Sequence, residues 1–387
     1  MANYWQNVDE IAPEALMHME DALILTNLTA RDKSADFNKT ANGYAVGDTV
    51  SIKTRPDYEA KEFTSTITTQ EIRESKRSMQ IEKHYDISVA LTAKEKALNF
   101  DDFVEQVVRP ASYRLAEKVD LYVGTKLTAA AGLYAANDLF VDAADMALAR
   151  KAANFNQLSP TGRFCVVNDT LEAKLLGKDY FNKYQNRSDE GVRTFREALL
   201  GRAMGMNFYP TMQFPTWSLA AAGTGVAQTN NGTNGTQYNR IGMSTLTVDS
   251  HNASVNTFPA GTRIIVAGCR RPLIVATLTN ANPTTEIPLV DPITEIIPDN
   301  AAVTVVGSGL TNLAAQGVIM DDQSLAVAMP MLDLPSDKLA YGINNNGFSI
   351  RVVIGYDMNT KTDTMSLDLL VGAAAWDPRR ITLLAEY

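Results

Sequence analysis

Residues 92–122 read TAKEKALNFDDFVEQVVRPASYRLAEKVDLY, and their periodicity predicts the longest helix in the chain. Thr92 and Glu95 have the spacing of a capping box, and Asn99 offers a second start. Val104, Val108, Ala111, Leu115, Val119 and Tyr122 fall on one apolar stripe, while Glu105, Arg109, Glu117 and Lys118 face elsewhere. Pro110 bends this helix rather than ending it, because the pattern resumes beyond it. Thirty residues of helix would be about 45 Å long, a structural spine on which other parts can be hung.

The chain before the spine has two parts. Between Met1 and Ala30 stand Asp9, Glu10, Glu14, Glu20 and Asp21, with no lysine or arginine before Arg31. Pro13 suits a first helical turn, and Ala12, Leu16, Met19 and Leu23 recur at helical spacing behind it. This acidic arm either docks on its own domain or binds a partner, and the residues leave both open. From about 36 to 91 the pattern is extended, with alternation around Val46–Ile52, Phe63–Ile67 and Ile87–Leu91. Between Arg31 and Lys83 there are ten basic and nine acidic residues, and few large apolar ones lie between Asp57 and Gln80. Such a hairpin has little to bury against its own core, so it lies in solvent or on another subunit.

Beyond the spine, 142–217 alternates helices and strands. Asp142 opens an alanine-rich helix, Arg163–Val167 reads as a buried strand, and Asn168 or Asp169 caps the next helix. Composition then changes abruptly: only nine of the 103 residues from Ser218 to Met320 are charged, and no lysine occurs between Lys183 and Lys338. Short β-branched runs at Thr245–Val248, Arg263–Val266, Leu273–Leu278, Ile293–Ile297 and Ala302–Val306 predict a small barrel or sandwich. After Asn312 mixed character returns, with strands expected near Gly317–Ile319, Leu325–Met329, Phe348–Tyr356 and Ser366–Val371. The low-charge segment therefore reads as an insertion within a domain that flanks it on both sides.

The chain has 387 residues, 45% of them hydrophobic and 20% charged, enough for two or three cored domains. No apolar run reaches the 18 or so residues of a membrane span. The start, MANYWQNVDE, lacks the basic and apolar regions of a secretory signal. Cys165 and Cys269 stand apart and outside any C-x-x-C, which fits a reducing compartment. A net charge of -9 excludes bulk electrostatic adhesion to nucleic acid.

Reactive constellations do not emerge. His18, His84 and His251 lie in three dissimilar segments without metal-ligand spacing, so no metal site and no cofactor is expected. Val303–Asn312 holds a G-x-G after a strand. Asn312 stands where the fingerprint needs a third Gly or Ala, and no βαβ unit surrounds it, so the stretch reads as a turn. No phosphate-binding loop, no G-x-S-x-G and no calcium loop is present, and an enzyme is not expected.

The order of these parts resembles the major coat protein of tailed bacteriophages with the Hong Kong 97 fold, in particular the P-twenty-two-type podovirus coat family. Arg114-Leu-Ala-Glu-Lys-Val-Asp-Leu-Tyr-Val resembles that family's spine helix. Ser159-Pro-Thr-Gly-Arg-Phe-Cys-Val-Val-Asn-Asp resembles its apical strand and helix. Ser349–Tyr356 followed by Leu367–Gly372 resembles its closing hairpin. The resemblance implies an α+β fold with an N-terminal arm (1–35), an E-loop (36–80) and a peripheral domain carrying the spine (81–137 and 346–387). It further implies an apical domain (138–217 and 313–345) and an inserted β-barrel (218–312). The function implied is self-assembly, through pentamers and hexamers, into the icosahedral shell around a double-stranded DNA genome. The partners implied are other copies, a scaffolding protein, a portal protein and weakly touched DNA, in a virion assembled in the host cytoplasm. A β-rich virion adhesin or tail-associated binding module is the alternative; it would account for the low-charge segment but not for the spine or the acidic arm.

Two sets of site residues are expected. Lys53, Arg55, Lys61, Arg73, Lys76 and Arg77 would make salt bridges between subunits. Glu14, Glu20 and Asp21 would receive a basic segment of a scaffold or of a neighbouring copy.

Overall fold

A computed structural model describes residues 8–31, 49–53, 76–91, 104–130, 132–156, 158–215, 218–219, 227–230, 239–249, 257–269, 271–277, 279–280, 284–306, 313–335, 339–357 and 362–387. The architecture is mixed α+β, and the described residues form four sheets, with helices laid against two of them. Two compact units emerge, one of Met1–Ser51, Ser78–Lys126 and Leu325–Ala375, the other of Ile52–Arg77, Leu127–Ser324 and Trp376–Tyr387.

In the first unit the spine stays helical through Pro110, as its periodicity predicts. Val104–Val108 form a π-helical turn, and Arg109–Lys126 continue as α-helix. A wide turn just before the proline accommodates a ring that cannot join the regular ladder. Val108, Leu115, Val119 and Val123 are fully buried along the stripe. The expected start at Thr92 or Asn99 lies outside the described residues. The arm helix, Val8–Ala22, buries Ile11, Ala12, Ala15, Leu16 and Met19 and packs on the spine.

Behind both helices lies a six-stranded sheet, antiparallel from Lys76–Leu91 onward. Its order is Thr49–Lys53, Lys76–Leu91, Thr362–Ala375, Phe348–Asp357 and Leu339–Asn345, with Leu325–Ala328 pairing the far end of Thr362–Ala375. The closing hairpin runs longer than its β-branched cores indicate. The strand Leu339–Asn345 carries no expected pattern at all, because its faces alternate weakly. The E-loop run Phe63–Ile67 lies outside the described residues.

In the second unit a seven-stranded sheet has Leu313–Met320 at its centre, between Arg163–Val167 and Thr382–Glu386. Asp142 and Asn168 cap the two helices beside it by accepting from the N–H groups of Asp145 and Leu171, at 2.8 and 2.9 Å. Their apolar faces join Cys165, Val167, Phe181 and Phe208 in one core.

A separate six-stranded sheet is built from the low-charge segment, in the order Leu273–Ile274, Arg263–Val266, Ala302–Val305, Ala227–Thr229, Thr245–Asp249 and Thr284–Pro288. Its core comes from alternate residues: Leu246 and Val248, Ile264 and Val266, Val303 and Val305. Ile293–Ile297 does not form the expected strand. It is irregular, and only Ile293 and Ile297 plug into the core, so their spacing imitates strand alternation. Thr284–Pro288 takes the edge place instead. Ser218 and Leu219, where this segment begins, pair with Ala314 and Leu313, where it ends.

Candidate interaction surfaces

The best-defined junction in the first unit is between arm and spine. Asp120 sits on the buried side of the spine, and its carboxylate receives four hydrogen bonds from one loop. The Ile24 and Leu25 N–H groups reach Oδ2 at 2.8 and 3.1 Å, and the Thr26 N–H and hydroxyl reach Oδ1 at 2.9 and 2.6 Å. A buried carboxylate is tolerated only with such a set of donors. Burial pushes the Asp120 carboxyl upward, against the pull of these four bonds. Nothing in the sequence around Asp120 announces a partner some 95 residues away, so reasoning from pattern missed it.

The acids expected to receive a partner are now placed. Glu14 and Asp21, seven residues apart, share one side of the arm helix, and Glu20 lies about a third of a turn away. Asp21 is exposed, whereas Glu14 and Glu20 are half-buried. Glu14 stands 3.9 Å from His18. The helix thus buries its apolar stripe against its own unit while keeping acids at its surface.

Of the cations expected at subunit contacts, Arg55, Lys61 and Arg73 lie outside the described residues. Lys53 ends one strand and Lys76 begins the next, and their side chains also lie outside. Arg77 groups with the second unit, is half-buried and forms an ion pair with Asp291 of that same unit; burial, the leading cause, lowers its guanidinium to about 10. Further along the same strand, Glu82 accepts from Lys126 Nζ at 2.6 Å. His84 lies 3.1 Å from Asp368, a nearly buried carboxylate that also accepts from Arg351 at 2.9 Å. These charges are therefore partly spent within the chain.

A different kind of surface appears on the helix Asp189–Glu197. It buries Gly191 and Thr194, while Val192 and Phe195 face outward, Phe195 being 81% exposed. Leu199 and Met204 add exposed apolar area nearby in sequence, and Met212 is 91% exposed. Charge arithmetic does not reveal this face.

Among the described residues no group of acids, cysteines and histidines is arranged to hold a metal ion. Among the described residues no helix is long and apolar enough to cross a membrane. No protein-family model matches the chain, and no curated protein matches it. The chain is similar to several solved structures. One is from Mycobacterium phage Che8, at a TM-score of 0.48 and 11% identity, covering 94% of this chain and 90% of that one. Another is the capsid of Ralstonia phage GP4, at 0.47 and 9%, covering 90% and 86%. A third is the capsid of an empty GTA particle, at 0.47 and 9%, covering 94% and 90%.

Proposed function

We propose that this chain is the major capsid protein of a tailed bacteriophage, assembling with copies of itself into the shell that encloses the DNA. The observation that carries the reading is the construction of the first unit. A long helix and an acidic arm pinned to it by Asp120 pack against a sheet of long strands in one body. Each part follows the order that the coat-protein resemblance implies. The net charge of -9 supports it too, because each phosphate neutralised by a shell lining would add salt-dependent affinity to DNA that has to move.

On this reading the charged E-loop meets a neighbouring copy, and the acidic arm receives a basic segment of a scaffold or neighbour. Single exposed ion pairs contribute only about 0–1 kcal/mol, but a shell repeats them. Full-length protein examined by sedimentation velocity and negative-stain microscopy should give capsomers or closed shells. A small closed oligomer at every concentration overturns the reading and favours the adhesin alternative.

A further inference from the structure

One strand of the first unit has an open outer edge among the described residues. Among the described residues Leu339–Asn345 ends the six-stranded sheet and pairs with Phe348–Asp357 alone, in an unbroken register from Leu339 opposite Ile354 to Asn345 opposite Phe348. Asn346 and Gly347 connect the two with φ of 51° and 83°, the left-handed pair of a two-residue type I′ turn. In such a hairpin the residues flanking the turn exchange both hydrogen bonds, and the pattern alternates from there. Asn345, Ile343, Tyr341 and Leu339 therefore bond inward. Ala340, Gly342 and Asn344 turn their N–H and C=O groups to the outer edge, where the described residues supply no backbone partner.

Edge strands in soluble proteins are ordinarily blunted by lysine, proline, a bulge or an inward charge. The stretch LAYGINN has none of these: no charged residue, no proline and no register shift. Leu339 and Tyr341 are moreover 44% and 38% exposed. Among the described residues the opposite end of the same sheet is Thr49–Lys53, also a terminal strand. A sheet that ends in strands at both sides can continue from one copy into the next. That is a heterologous contact, of the kind that builds rings and shells rather than isolated pairs.

We propose that Leu339–Asn345 is an assembly edge, onto which an extended segment of a second copy of this chain adds as the next strand. Backbone groups of Ala340, Gly342 and Asn344 supply the hydrogen bonds, and the exposed Leu339 and Tyr341 side chains supply apolar contact. The proposal rests on the shell-forming reading for its occupant, and it names the strand through which copies join.

Proline tests it without touching the inner ladder. Ala340→Pro and Asn344→Pro each remove an outward N–H that the hairpin does not use, a placement edge strands tolerate. The full-length variants should keep the wild-type circular dichroism and thermal transition while particle yield falls at least tenfold. Tyr341→Pro, which removes an inward bond, is the control expected to destabilise the fold itself. Hydrogen exchange on the wild type gives a second readout. The amides of residues 340, 342 and 344 should exchange at least tenfold more slowly in the associated protein than in dilute monomer. Folded proline variants that assemble normally overturn the proposal, as do shells in which these amides exchange at the monomer rate; both results leave the capsid reading intact. A chain that remains monomeric at every concentration overturns both.

Discussion

The second unit contains two sheets that solve the same problem differently. The seven-stranded sheet packs with capped helices, and its core is large and aromatic: Phe140, Phe181 and Phe208 meet around Cys165, with the Phe181 and Phe208 rings edge-on at 5.3 Å. The low-charge sheet fills its core with Leu, Ile and Val from alternate positions and a single phenylalanine, Phe258. Each also swallows an arginine. Arg163 donates to the Leu158 and Ser159 carbonyls, and Arg263 to those of Ala130 and Gly261 at 3.0 and 2.9 Å. In both, burial lowers the guanidinium from its ordinary value, and Arg263 falls to about 10. The difference teaches where independence lies. Strands on both sides of the low-charge segment interleave in the first sheet, whereas the second sheet draws all its strands from 227–305.

The largest expected effect breaks the comparison outright. Because Ser218–Leu219 and Leu313–Ala314 are hydrogen-bonded neighbours, the chain ends left by removing 220–312 already lie side by side. A variant with 220–312 replaced by a short glycine-serine linker should retain a cooperative thermal transition and helical circular dichroism while losing particle formation. If the remainder is unfolded, the two sheets are one folding unit.

Next in size is Phe181→Ala. The side chain is fully buried in the helix-covered core, so the variant should lose about 3–5 kcal/mol in denaturant unfolding. The loss should be the same with or without the low-charge segment. A loss that vanishes in the deletion variant would mean that the sheets are coupled.

Smaller is Arg263→Met, which removes a buried cation and leaves the Ala130 and Gly261 carbonyls without these bonds. About 1–3 kcal/mol is expected, set by the unsatisfied acceptors rather than by lost charge. The bond to Ala130 reaches outside the low-charge segment. The variant should therefore matter more in the full chain than in an isolated 218–312 fragment.

These two sheets also mark what pattern reading can reach. The helix starting after Asp142, the strand Arg163–Val167 and its Asn168 cap were legible, because each signal is local: a cap, an apolar run, a turn. In the low-charge sheet, Thr245–Asp249, Arg263–Val266 and Ala302–Val305 were legible by alternation. Ile293–Ile297 misled, since two isoleucines four apart plug a core as well from an irregular segment as from a strand. Thr284–Pro288 was missed because a glutamate and a closing proline obscure an edge strand. The interaction surfaces were less legible still. Arg77 looked like a contact residue and pairs with Asp291, over 200 residues away. Asp120 drew no expectation of its own and is the arm's anchor. Partnerships at such separations leave no local trace, and the outward-facing Phe195 is invisible until it is known which side of its helix is covered.

The smallest effect separates the sheets by their thiols. Cys165 is fully buried in the aromatic core, and burial drives its thiol far above the ordinary range. Cys269 is only half-buried at a turn of the low-charge sheet, where burial first and Glu295 second raise it to about 11. Since the thiolate is the reacting form, alkylation of the folded protein at pH 8 should be slow at Cys269 and undetectable at Cys165. Between pH 8 and 10 the Cys269 rate should climb about tenfold per pH unit, because each unit below the folded value multiplies the thiolate fraction by about that factor. Raising the pH should leave Cys165 silent until the sheet unfolds, since its barrier is access to reagent as well as ionisation. Mass spectrometry of the labelled peptides reads both sites in one sample. Equal labelling of the two cysteines would mean that the helix-covered core opens as readily as the turn, and the contrast between the sheets would fail.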